Sequence, residues 1–193
     1  MTKREQRSTI LEARASLSDA DRAFFDRLIF EQAHKLRVFQ LAATIHVYRN
    51  RMHEVETMPF LEYAWSTGKD VYVPVVPPGS STMISVRVTY ATHWTEGSYG
   101  IPVPAEYSHE DIADASHFDA STCILVPMVG FDRQCNRLGY GKGFYDRFLQ
   151  SIPLAPTIGL AYECQRCDTV PTEAHDVRLS AVVTEQIIEI ASR

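Results

Sequence analysis

From residue 3 to residue 38 the apolar positions recur at helical spacing. Ile10, Leu11 and Leu17 make a loose first face, and Phe24, Phe25, Leu28, Ile29, Ala33 and Leu36 make a second. Ser18 followed by Asp21 has the form of an N-cap with an acid three places on, so the pattern predicts two helices with a break near Ser16-Leu17-Ser18. Residues 41–48 change character. They are apolar on both faces, as in a strand buried within a parallel sheet. Residues 58–67 return to helix, with Gly68 as a natural stop. A second buried strand over 70–76 ends at Pro77-Pro78-Gly79, and 83–90 alternates in the manner of a half-exposed antiparallel strand. Residues 92–107 carry Gly97, Gly100, Pro102 and Pro104 and are expected to be ordered but irregular, with His93 and Trp94 packing under them. A short helix over 108–115, strands over 122–126, 157–161 and 181–184, a helix over 143–151 and a polar-ended tail complete the reading. The alternation of helix and strand predicts an α/β protein with three layers, α/β/α, around a mostly parallel central sheet.

Composition narrows the possibilities without pointing to chemistry. The 193 residues suit one domain spanning 1–193, with ordinary shares of hydrophobic (45%) and charged (22%) residues. The balance of 19 basic against 24 acidic side chains gives −5, so no global positive field favours nucleic acid or an anionic membrane. No apolar run approaches the ~20 residues of a membrane span, and the start 1–7 leads into no signal-like apolar core. A cytoplasmic monomer that binds small molecules is the expectation. Four cysteines are few for a disulfide scaffold, and Cys164-x-x-Cys167 lacks the second pair that a structural zinc site needs.

The chemistry is concentrated in residues 125–149, which read as strand, bent loop, glycine-rich turn and helix. Gly139, Gly141 and Gly143 alternate with larger residues and leave backbone N–H groups uncovered ahead of a helix N-terminus, an arrangement that gathers anions. The spacing alone is neither a dinucleotide fingerprint nor a P-loop and fits a tight turn equally well. Arg133, Arg137 and Lys142 interleaved with Asp132 and Asp146 add the character of a phosphate site with a divalent metal. Glu54 and Glu56 follow the first strand, where α/β proteins place ligands, although an acid there also suits the start of the next helix. Lys3, Arg4 and Arg7, within about a turn of one another, fit a solvated helix face.

With these residues in view, the chain resembles the 5-formyltetrahydrofolate cyclo-ligase family over nearly its whole length. The resemblance is carried by Phe131-Asp132-Arg133 through Arg137-Leu138-Gly139-x-Gly141-x-Gly143-Phe144-Tyr145-Asp146, by Lys3-x-x-x-Arg7, by Glu54-Val55-Glu56-Thr57 and by residues 171–176. It implies ATP- and Mg²⁺-dependent closure of 5-formyltetrahydrofolate to 5,10-methenyltetrahydrofolate, releasing ADP and phosphate, on a fold shared with sugar-phosphate isomerases and CoA transferases. It also implies roles. Lys3, Arg7, Arg137, Leu138, Gly139, Tyr140, Gly141, Lys142, Gly143, Phe144 and Tyr145 would meet ATP, with Lys142 and Arg137 countering charge on the transferring phosphoryl group. Asp146 and Asp176 would hold Mg²⁺. Tyr48, Arg49, Glu54, Tyr140, Phe144 and Tyr145 would surround the reduced folate. Two positions depart from the family pattern: Tyr140 stands where some members are basic, and Val103 where members often have Glu. A nucleotide- or folate-binding regulatory protein that lost the chemistry is the alternative, with a sugar-phosphate isomerase as a third reading; the regulatory reading would be marked by a damaged cation or metal ligand, and all six such residues are present.

Overall fold

The computed structural model describes residues 2–192. Helices α1 (Lys3–Ala15), α2 (Asp19–His34) and α3 (Arg37–Gln40) lead to strand β1 (Thr44–Val47), helix α4 (Met58–Ser66) and strands β2 (Asp70–Val75) and β3 (Ile84–Arg87). Short strands β4 (Trp94–Glu96), β5 (Pro102–Pro104) and β6 (Ile112–Ala113) precede β7 (Thr122–Pro127), β8 (Gly130–Phe131) and β9 (Arg137–Leu138). Helix α5 (Phe144–Ser151) and strands β10 (Thr157–Leu160), β11 (Ala181–Val183) and β12 (Ile188–Ile190) end the chain.

The main sheet has eight strands in the order β12-β11-β10-β7-β1-β2-β3-β6. Pairing is parallel from β11 across to β2 and antiparallel at both margins. Strand β7 explains the layering, because successive side chains of a strand point to opposite faces. Cys123 and Leu125 join Ile29, Phe39, Phe60 and Leu61 from the α2–α4 side, whereas Ile124 and Val126 join Leu149 and Ile152 on the α5 side. All four β7 residues are fully buried. Truncating such a residue, for instance Leu125→Ala, costs about 2–5 kcal/mol through lost transfer energy and a cavity. A smaller cluster of Ile10, Val129, Leu138 and Val170 seats α1 against the β8–β9 hairpin.

Several expectations hold at the level of single bonds. Ser18 Oγ accepts from Asp21 N at 3.1 Å at the start of α2, and Gly68 takes φ +72° just after α4. Four others need correction. The first strand starts at Thr44, because the carbonyl of Ala42 accepts from Lys69 Nζ and Ala43 N donates across to Ser121, tying down the entry before the ladder begins. Residues 92–107 contain the β4–β5 hairpin, in which Trp94 pairs with Pro104; its prolines are tolerated because a two-stranded ribbon leaves one edge of each strand free of ladder bonds. Residues 108–115 are not a helix. Ser108 with Asp111 closes one 3₁₀ turn, and Ile112–Ala113 then pair with β3 as the sheet's edge. The tail contains β12, whose Ile188-Glu189-Ile190 alternation is a short strand pattern.

Candidate active site

Strand β1 lies between β2 and β7, so the chain leaves β1 toward one side of the sheet and returns later on the other. The segments beyond the carboxyl ends of β1 and β7 therefore diverge, and in open α/β sheets ligands settle in such a crevice. A cavity of about 290 Å³ lies there. Its walls are the loop after β1, the ends of β2 and β7, the glycine-rich turn with the start of α5, and the β4–β5 hairpin over the top.

The glycine-rich turn forms the charged wall. Gly141 and Gly143 take φ +90° and +67°, conformations that side chains with a Cβ rarely adopt, while Gly139 has an ordinary φ. An added Cβ at Gly141 would reach ordinary contact, 3.5 Å, with the Arg7 guanidinium. Arg7 Nε donates to the Gly139 carbonyl at 2.8 Å, which places α1 beneath the turn. Arg137, Gly139, Tyr140, Gly141, Lys142, Gly143, Phe144, Tyr145 and Asp146 all line the cavity, with the Lys142 ammonium exposed at the rim. Leu138 does not; it is buried against Ile10. Lys3, Arg7 and Asp176 lie behind the lining. Lys3 Nζ donates to Asp176 at 2.9 Å and Glu173 at 2.8 Å. Burial pulls the Lys3 pKa down, but these two carboxylates together outweigh it and raise it; burial pushes Asp176 up, and the bond and charge of Lys3, the Glu173 N–H and His175 together outweigh that and lower it.

Arg137 is the buried centre of this wall. Its Nη2 donates to Asp146, its Nη1 has no partner among the described residues, and Asp176 is near enough to support its charge. Burial lowers the Arg137 pKa, with Asp146 opposing. Two other members of the run stand outside the cavity. Asp132 is buried and accepts from the backbone N–H groups of Gln134, Asn136 and Val170 at 2.9–3.0 Å, which fixes the β8–β9 turn. Arg133 sits exposed on that turn and does not line the cavity.

The loop after β1 forms the second wall, with Tyr48, Arg49, Arg51 and Glu54 on the cavity. Glu54 is 8% exposed. Its Oε2 accepts from Arg51 N at 3.0 Å, and its Oε1 accepts from the Tyr140 hydroxyl. Tyr140 also accepts from Arg14 Nη2 at 3.0 Å and lies under the Arg51 guanidinium at 4.4 Å, so two arginines surround a position that is basic in some family members. Burial, then the Glu54 charge, pushes Tyr140 up to about 12. Tyr145 is raised further by burial and Glu54, and its hydroxyl has no partner among the described residues. Arg49 lies over Trp94 at 4.9 Å, with a buried Nε also unpartnered. Trp94 thus packs on the core as expected, while His93 is exposed. Glu56 takes the helix-start role: its Oε1 accepts from Met58 N at 2.9 Å.

Arg14 and Arg51 were not among the sequence candidates. Arg14 continues the face of Lys3 and Arg7 along α1, a periodic signal available in the sequence; Arg51 carries none beyond its place in the loop. The four cysteines are free thiols, and among the described residues no three His, Cys, Asp or Glu side chains converge as a metal cluster. Asp146 and Asp176 flank Arg137 as a pair of half-buried carboxylates, a donor set that suits a magnesium ion keeping most of its water and phosphate ligands.

A model of the 5-formyltetrahydrofolate cyclo-ligase family matches residues 1–185. The chain is 31% identical over 185 residues to 5-formyltetrahydrofolate cyclo-ligase of Haemophilus influenzae, covering 92% of this chain and 95% of that protein. It is 33% identical over 147 residues to the Escherichia coli K12 cyclo-ligase, covering 75% and 79%. Among solved structures, the 5,10-methenyltetrahydrofolate synthetase of Aquifex aeolicus superposes with a TM-score of 0.84 at 27% identity, over 100% of this chain and 94% of that one. The synthetase of Mycoplasma pneumoniae gives 0.74 at 26%, over 96% and 99%.

Proposed function

The chain belongs to the 5-formyltetrahydrofolate cyclo-ligase family, and we infer from that premise that it closes 5-formyltetrahydrofolate to 5,10-methenyltetrahydrofolate with ATP and Mg²⁺, releasing ADP and phosphate. The observation that carries the reading is one cavity that brings the glycine-rich turn, Arg137, Lys142 and Asp146 to face Glu54. Cations and uncovered N–H groups on one wall suit phosphate oxygens, and a carboxylate on the other suits a ligand that brings N–H donors.

In the reaction the formyl oxygen takes the γ-phosphoryl group as the bond to ADP breaks; N10 then bonds the formyl carbon, phosphate departs, and the N10 proton is lost. This chain's residues supply position and charge rather than covalent chemistry. Backbone N–H groups of the Gly139–Gly143 turn, with Arg7 and Lys142, hold the triphosphate, while Arg137 faces the oxygen that changes hands. Lys3 joins them once it exchanges its carboxylate partners for phosphate. Asp146 and Asp176 would carry the magnesium ion, which when bound screens the phosphate charge. Tyr48, Phe144 and Tyr145 wall the pterin, Glu54 fixes it through its N–H groups, and Arg49 completes the folate side. The chain acts as one domain and as a monomer. Among the described residues no helix is long and apolar enough to cross a membrane.

The test is direct. Incubation with 5-formyltetrahydrofolate, ATP and Mg²⁺ should generate the methenyl chromophore. Absence of turnover above a protein-free blank, from protein shown to be folded, refutes the reading.

A further inference from the structure

The loop that carries Glu54 runs from the end of β1 at Val47 to the start of α4 at Met58 with almost no backbone ladder of its own; a single turn bond, Glu54 N to Arg51 O at 3.0 Å, interrupts it. Side chains therefore set its shape. Asn50 and Thr57 clasp its two ends, with Asn50 N donating to Thr57 Oγ1 at 3.3 Å and Thr57 N returning to Asn50 Oδ1 at 3.3 Å. Asn50 Nδ2 also donates to Glu56 at 3.2 Å. These contacts close the loop on itself, and across the cavity it meets the glycine-rich wall through Glu54 and Arg51 on Tyr140.

A second anchor, from behind, comes from two distant elements. Asp26 on α2 accepts from Glu56 N at 3.2 Å, and the same Oδ1 accepts from the Tyr162 hydroxyl at 2.7 Å. Tyr162 lies just past β10, is fully buried, and places its hydroxyl 3.4 Å from the Glu54 carbonyl. A hydroxyl has one proton, and the shorter bond to a carboxylate takes it, so Tyr162 orients Asp26 and Asp26 holds the backbone two residues past Glu54. Neither residue lines the cavity.

We propose that Asp26 and Tyr162 are positioning residues for the folate side of the site, holding the 48–57 loop so that Glu54 meets its ligand. The proposal rests on the assignment of Glu54 to the folate. A structural role alone would lower stability without choosing between substrates, whereas positioning Glu54 separates the two KM values.

The experiment measures kcat, both KM values and Tm for Asp26→Ala, Asp26→Asn, Tyr162→Phe and Glu54→Gln in the full chain. Asp26→Ala should raise KM for 5-formyltetrahydrofolate about tenfold, the equivalent of one lost charge-assisted bond, with KM for ATP within about twofold. Asp26→Asn keeps an acceptor oxygen for Glu56 N and should recover folate KM to within about threefold; Tyr162→Phe should fall between. An unchanged folate KM in Asp26→Ala alongside a raised one in Glu54→Gln overturns the positioning role and leaves the Glu54 assignment standing. A parallel rise in both KM values, following the loss of Tm, also overturns it. An unchanged folate KM in Glu54→Gln overturns the assignment of Glu54 itself. If Asp26→Ala does not fold, Tyr162→Phe decides on the same criteria.

Discussion

The two walls of the cavity stand at the carboxyl ends of neighbouring parallel strands and are held by opposite means. The turn after β9 owes its shape to the backbone, with Gly141 and Gly143 in left-handed conformations and Arg7 beneath Gly139. The loop after β1 owes its shape to side chains, through the Asn50–Thr57 clasp and the Asp26 anchor. Their electrostatics differ in the same way. On the glycine side each carboxylate is joined to a cation, Asp146 to Arg137 and Asp176 to Lys3. On the loop side the Glu54 carboxylate accepts from Arg51 N and, from the facing turn, the Tyr140 hydroxyl, with Arg51 Nε 3.8 Å away. A wall of preformed ion pairs suits a ligand that brings both charges, since a metal takes the carboxylates while phosphate takes the cations. A buried acid between Tyr48, Arg49 and Arg51 suits a flat heterocycle that brings N–H donors.

The largest expected effects break the charged wall. Asp146→Asn should keep a hydrogen bond to Arg137 while removing the charge, lowering kcat by about 10²–10³-fold in the cyclisation assay. Lys142→Ala, at an exposed rim position, should cost roughly 10²-fold in kcat with an unchanged Tm. Wild-type rates from either folded variant would remove that residue from the machinery.

The charge exchange itself is measurable by calorimetry. On the proposed assignment, ATP without magnesium would take cations from Asp146 and Asp176 and leave two half-buried carboxylates uncompensated, so its affinity should fall at least about tenfold relative to ATP with magnesium. Equal affinities would mean that the two ion pairs survive in the complex.

Gly141→Ala separates backbone from side-chain control. The added methyl would meet Arg7 at ordinary contact distance, so the cost lies in holding alanine at φ +90°, about 1–2 kcal/mol. KM for ATP should rise up to about tenfold, with folate KM affected less. Equal effects on both would show that the turn moves the two walls together.

Alkali probes the buried tyrosines in and behind both walls. Tyr48, Tyr140, Tyr145 and Tyr162 all have raised pKa values, with burial the first cause in each. A raised folded pKa means that the native state holds the proton after the unfolded chain has released it. Their contribution is therefore complete below about pH 10 and is lost as pH climbs toward the folded value, about 12 for Tyr140, at up to about 1.4 kcal/mol per pH unit for each group. Denaturant midpoints should fall steeply above pH 10, and Tyr140→Phe should flatten the slope. A stability profile flat from pH 9 to 11 would contradict the burial of these hydroxyls.

The contrast between the walls also explains what could be read in the sequence. Layering, parallel core and helix caps were legible because they depend on period and on residues a few places apart, as at Ser18 and Asp21. The glycine-rich wall was legible because glycine advertises its own backbone. The loop's anchor was not, because Asp26 and Tyr162 are 136 residues apart and neither has a local pattern. The β4–β5 hairpin and β12 were missed for a simpler reason: three-residue strands fall below the length at which alternation is distinguishable from irregular polar sequence.

Arg133 supplies the smallest effect and tests how far a run of charges can be trusted. By composition it belongs with Arg137 and Lys142, four and nine positions on. The β8–β9 hairpin separates them: Arg137 lies in β9 and turns inward against Asp146, whereas Arg133 lies on the exposed turn that Asp132 fixes by accepting three backbone N–H bonds. Arg133→Ala should therefore leave kcat and both KM values within about twofold and Tm nearly unchanged, as at other surface positions without partners. A tenfold rise in KM for ATP would instead bring the hairpin tip into the nucleotide site and extend the charged wall beyond the cavity.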